Sequence, residues 1–193
     1  LPTSRSRCQI VPFRPLTQSD VEELLLQCGL CEDRAVAQQA AARSGGSVAH
    51  AAQWCEPELI EFRSQLLDAL ANPEMELLQA AKLVGQFVEG AGKESAAKRD
   101  RLRLAVSLAE EFYRSLLLGD AALCDAQDKP LTSAIARASR WIAGQESAAA
   151  CLDVCLDAYA HIDSNVNQAT FIEWWLDELS QAARRGAGFQ PAR

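Results

Sequence analysis

Several stretches of this 193-residue chain carry residue types that could do chemistry at spacings that matter. Cys28-Gly-Leu-Cys31 has the spacing of half a zinc site, and Cys151 with Cys155 would share one helical face. A single pair brings only half of a tetrahedral ligand set, and Cys is among the commonest buried small apolar residues. Both pairs therefore read as core side chains, and no metal is expected. The stretch EGAGKES, residues 89–95, imitates a phosphate-cradling loop. That loop needs Gly, four residues, then Gly-Lys-Ser/Thr, between a strand and a helix. Here Phe87 stands where the first Gly belongs and Lys93 is followed by Glu94, so the stretch reads as a helix-to-helix connection. Lys98-Arg99-Asp100-Arg101-Leu102-Arg103 could touch nucleic acid, but at about 100° per residue its charges spread around a helix. It reads as a solvated first turn. Arg7, between Ser6 and Cys8 and two residues from Arg5, is on residue type alone a solvated arginine. Trp174-Trp175 can place one ring in a core; the other is either partly exposed or an anchor against a partner.

The elements that must position these residues are helical. Thr17 followed by Asp20 predicts a helix start, and Val21, Leu24 and Leu25 give that helix an apolar face ending at Cys28-Gly29. A second helix spans about 32–43 and is stopped by Ser44-Gly45-Gly46. Ser47 caps a short third helix ending near Trp54. Pro57 opens a longer helix to about Leu70, and Pro73 opens another to about Glu89. Leu102, Ala105, Val106, Ala109, Phe112, Tyr113, Leu116 and Leu117 recur at three-and-four spacing up to Gly119. Further helices are expected over roughly 129–143, 146–162 and 167–184. Only residues 9–13 suggest a short extended segment.

With 49% hydrophobic residues and few aromatics, the composition favours packed helices. A formal net charge of −7 argues against a general nucleic-acid binder, which usually leaves a basic footprint. Seven Cys without a disulfide-like framework, no apolar leader and no apolar run of about 20 residues give the expectation of a cytoplasmic protein with no membrane partner.

Three stretches, taken in chain order, resemble the clamp-loader subunits of bacterial DNA polymerase III, delta-prime type. LPTSRSRCQIVPFRPLT, residues 1–17, is similar to the family's Ser-Arg-Cys motif (Ser6-Arg7-Cys8) with its F-x-P-L continuation. AARSGGSVAHAA, residues 41–52, is similar to the Gly-Ser turn before the third lid helix of an AAA+ module. NVNQATFIEWWLDEL, residues 165–179, resembles the end of the collar domain.

The resemblance implies an all-α layout. Residues 1–16 would be the remnant of an AAA+ core that precedes Leu1, 17–56 a three-helix lid, 57–185 a collar of about five helices, and 186–193 a flexible tail. It implies that Arg7 acts as a trans arginine finger, stabilising charge on phosphoryl oxygens in a neighbour's ATP site. The collar would join other clamp-loader subunits, with Asn165, Asn167, Glu173, Trp174 and Trp175 as its interface residues. Sliding clamp and primed DNA would be reached indirectly. Family members that burn ATP carry an arginine two residues after the Gly-Ser pair; here Val48 and Ala49 follow Gly46-Ser47. The chain is therefore expected to be a non-hydrolysing subunit, with no cofactor of its own and with ATP and Mg bound by its neighbour. The alternatives are an ATP-hydrolysing motor-type fragment and an unrelated helical adaptor.

Overall fold

A computed structural model describes residues 14–119, 128–142, 144–164 and 167–185. Among them the chain is all-helical: α1 (Gln18–Gln27), α2 (Arg34–Arg43), α3 (Val48–Trp54), α4 (Pro57–Leu70), α5 (Leu77–Glu89), α6 (Ser95–Leu118), α7 (Lys129–Ala138), α8 (Gly144–Asp163) and α9 (Gln168–Arg185). They form two compact units divided between Leu59 and Ile60.

The first unit is built from short, well-capped helices. Thr17 and Asp20 cap α1 reciprocally: Thr17 Oγ1 accepts from the Asp20 N–H at 3.2 Å, and Asp20 Oδ2 accepts from the Thr17 N–H at 3.3 Å. Asp33 accepts from Ala35 N–H at 2.7 Å to start α2, and Ser47 accepts from His50 N–H at 3.3 Å to start α3. The core they enclose is small: Val21, Leu25, Cys31, Ala37, Ala40, Ala41 and Ala51. Gly46 is the tightest point. Its φ is +82°, and a Cβ there would lie 2.6 Å from both Leu16 O and Pro15 Cβ. The Leu16 N–H donates to Gly46 O at 3.2 Å, so the chain entering α1 runs directly across this turn.

In the second unit α8 packs along both α6 and α9, α9 packs on α5, and α5 and α7 each pack on α6. Phe62 of α4 stacks on Phe87 of α5, centroids 3.8 Å apart and rings within 5° of parallel. Phe112, Tyr113, Trp175, Leu176 and Leu179 fill the centre. Residues 57–185 hold six helices among the described residues, as read from the apolar spacing and one more than the about five that the resemblance implies. The helix expected to open at Pro73 begins instead at Leu77. The Asn72 side chain accepts from Glu74 N–H at 3.0 Å, and that local turn takes up the chain before a helix can start. α7 ends at Ala138, short of the expected 143, where Ser139 Oγ donates to the Ile135 carbonyl at 2.8 Å and the Trp141 indole N–H donates to Ala71 O at 3.0 Å. The extended segment expected at 9–13 lies outside the described residues.

Candidate functional site

The final helix gathers most of the expected contact residues that fall within the described chain. Asn167 caps α9, its Oδ1 accepting from the N–H groups of Ala169 and Thr170 at 3.0 and 3.2 Å. Its side chain therefore serves the helix start. Trp175 is fully buried and lies nearly parallel to Phe171 at 6.4 Å, so it belongs to the core of its own unit and presents nothing to a partner. Trp174, one residue earlier and about 100° round the helix, is half-buried and meets His161 of α8 edge to face at 4.5 Å. Glu173 is exposed beside it. The accessible part of the cluster is thus a Trp174–His161 aromatic edge flanked by a carboxylate. Such a surface can anchor another protein and has no arrangement for bond chemistry. Asn165 lies outside the described residues, as do Ser6, Arg7 and Cys8.

The turn Ser44–Ser47 is the other expected functional element. Ser44 Oγ donates to Ala41 O at 2.8 Å and accepts from Gly46 N–H at 3.1 Å, fixing the turn before Ser47 caps α3. Beyond it, Arg43 stacks over the Trp54 ring at 5.4 Å.

The charged run on α6 is more engaged than a solvated turn. Lys98 pairs with Glu89 at 2.6 Å, and that bond holds the Glu89 carboxyl below the usual carboxylate range. Arg103 pairs with Asp100 and Asp163, while Arg101 lies over the Phe87 ring at 4.7 Å and donates to the Phe87 carbonyl. These contacts join α6 to α5 and α8. The Gly90–Glu94 stretch is the turn between α5 and α6.

Sequence reasoning missed a buried ion cluster. Arg63 of α4 grips Asp128 with two bonds, Nη1 to Oδ1 at 3.0 Å and Nη2 to Oδ2 at 2.7 Å, and Nη2 also reaches Glu111 at 3.3 Å. Asp128 is 1% exposed and also caps α7 through Leu131 N–H. Although burial opposes it, the two carboxylates push the Arg63 pKa up, so the guanidinium stays charged. The available signal was Arg63 standing on the same stripe as Leu59, Phe62, Leu66, Leu67 and Leu70.

Of the four cysteines expected in a core, Cys31, Cys151 and Cys155 are buried and Cys28 is not. Cys28 is exposed and caps the end of α1, whereas Cys31 is buried. Cys151 and Cys155 are buried against Tyr113, and burial pushes the Cys151 thiol up to about 12. Among the described residues, no three His, Cys, Asp or Glu side chains stand together as a metal site. No described helix is long and apolar enough to cross a membrane. A groove of about 510 Å³ between α4 and α5, lined among others by Gln65, Asn72, Met75 and Gln79, is open and mixed in polarity. No family model, curated protein or solved structure matches the chain.

Proposed function

We propose that the chain is part of a non-hydrolysing, delta-prime-like subunit of a bacterial DNA polymerase III clamp loader. In this reading α1–α3 are the AAA+ lid and α4–α9 the collar. Arg7 reaches the ATP site of the neighbouring subunit, which holds the ATP and Mg. Glu173 and Trp174 face a neighbour, and the sliding clamp and primed DNA are engaged through the assembled ring.

One observation carries the reading. Two of the three stretches that resemble the family meet in space: the Pro15–Leu16 end of the Ser-Arg-Cys stretch crosses the Gly-Ser turn at Gly46, where no side chain fits. A motif that must deliver an arginine to a neighbour needs a fixed root, and this crossing supplies one. The missing lid arginine, with Val48 and Ala49 in its place, supports the non-hydrolysing assignment over the motor type.

The test is reconstitution with the motor and remaining loader subunits. The protein should co-elute with them in size-exclusion chromatography, and Arg7→Ala should leave that assembly intact. The same variant should depress DNA-stimulated ATP hydrolysis at the adjacent site, where arginine fingers contribute about 10³–10⁵ in rate. Arg7→Lys should not restore it, because an ammonium cannot reproduce the planar fork. Arg5→Ala is the control and should have the smaller effect. Failure to co-elute, or normal hydrolysis and clamp loading by Arg7→Ala, overturns the proposal.

A further inference from the structure

We propose that a pocket walled by α6, α8 and α9 binds a phosphate group, free or carried on an ester. The pocket measures about 160 Å³ and lies wholly within the second unit. The helix divides the charged run on α6 among different contacts. Arg101 goes to Phe87 and Arg103 to Asp100 and Asp163, whereas Lys98 and Arg99 line the pocket. Ser95, His161 and Gln168 add a hydroxyl, an imidazole and a carboxamide to the same lining. Leu102, Ile162 and Phe171, all buried, give it an apolar base. Apolar surroundings lower the local dielectric, so the two cations attract an anion here more strongly than they would on open surface.

An anion already reaches two of these donors from outside. Glu89, exposed at the end of α5, accepts from Lys98 at 2.6 Å and from Gln168 at 3.3 Å. A carboxylate carries one charge and two oxygens, and both of these are engaged there. A phosphate dianion carries twice the charge, and its oxygens point to four corners. From within the pocket it can take Lys98 and Gln168 together with Arg99 and Ser95. Ligand and Glu89 therefore compete for Lys98 and Gln168, and binding releases the Glu89 carboxylate to solvent. The volume is well below the roughly 300–1,000 Å³ of pockets that enclose a whole organic ligand, so an ester would keep its remaining part outside. The proposal concerns the second unit alone and stands apart from the clamp-loader reading.

The experiment titrates sodium phosphate and, separately, methyl phosphate into the isotope-labelled full chain at fixed ionic strength, followed by amide NMR shifts. Saturable shifts should gather at Ser95–Leu102, His161 and Gln168–Phe171, with a Kd of about 1 mM or tighter. A response to both probes assigns the pocket to an ester-borne group, and a response to inorganic phosphate alone assigns it to the free ion. Arg99→Gln should weaken binding about tenfold or more, because a charged hydrogen bond is lost. Glu89→Gln should tighten it by up to about fivefold, the worth of the exposed ion pair that competes with the ligand. The amide spectrum of each variant verifies its fold, and the unsubstituted chain tests the binding without any substitution. Shifts that fail to saturate by about 10 mM, that sodium chloride reproduces, or that gather elsewhere would each overturn the proposal. So would unchanged binding by Arg99→Gln or weaker binding by Glu89→Gln.

Discussion

The core of residues 14–59 is Val21, Leu25, Cys31 and four alanines, whereas that of residues 60–185 is built from rings and leucines, with Trp175, Tyr113, Phe112, Leu176 and Leu179 almost wholly enclosed. Alanine removes little apolar area from water, so each helix–helix contact in the first unit contributes modestly. Its helices have 10, 10 and 7 residues, too short to be stable alone, and side-chain caps on all three offset part of that weakness. The second unit holds helices of 24, 20 and 18 residues, with no side-chain cap bond at the starts of α5 and α6, and it relies on packed area. A unit held by caps and close approaches is sensitive to backbone detail; one held by area is sensitive to what fills it.

Alkaline titration should separate the two most widely. A thiol whose folded-state pKa is raised stabilises the fold fully below its unfolded value and loses that contribution as pH rises above it. In the second unit Cys151 is pushed up to about 12 and Cys155 higher, both mainly by burial, and Tyr113 and Tyr159 are raised too. Among the described residues of the first unit, only Cys55 shows such a rise. At about 1.4 kcal/mol per pH unit per group, Cys151 and Cys155 alone should withdraw about 5 kcal/mol by about pH 11. Urea unfolding at stepped pH under reducing conditions, read with Trp54 for the first unit and the remaining tryptophans for the second, measures it. Equal slopes would erase the distinction.

Trp175→Ala comes next, at about 3–5 kcal/mol, because it empties the largest fully buried side chain. The loss should appear in denaturant unfolding and as faster amide exchange in α5, α6, α8 and α9. A loss below about 1 kcal/mol would mean the site collapses freely and the packed-area account is wrong. Gly46→Ala should be smaller, roughly 1–3 kcal/mol from the positive φ and the crowding against Pro15 and Leu16. Exchange should then quicken in α1–α3. An unchanged exchange pattern there would show that the crossing is not what holds the short bundle.

Much of the helix pattern was legible because punctuation is local. Thr17, Ser47 and Pro57 mark starts, and Gly29 and Gly119 mark ends at φ near +65°. Pro73 misled because Asn72 makes a turn of its own, a competition that apolar periodicity does not register. The site was less readable. Periodicity says which face a residue occupies but not what it meets, so the Arg63–Asp128 grip across 65 positions left only faint marks. The adjacent Trp174 and Trp175 could not be ranked by spacing either; the contacts with His161 and Phe171 separate them.

The Arg63–Asp128 grip also constrains how this sequence can drift. Asp128 is at once counter-ion and helix cap, and Arg63 Nε is buried without a partner. Replacing Arg63 alone strands the buried Asp128 carboxylate, which typically costs about 3–5 kcal/mol, whereas replacing both with apolar residues of similar volume removes that penalty and leaves about 0.5–2 kcal/mol for the lost α7 cap. The two positions are therefore separated by a fitness valley that only a paired change crosses, and among descendants of this chain they should behave as one inherited character written in two places.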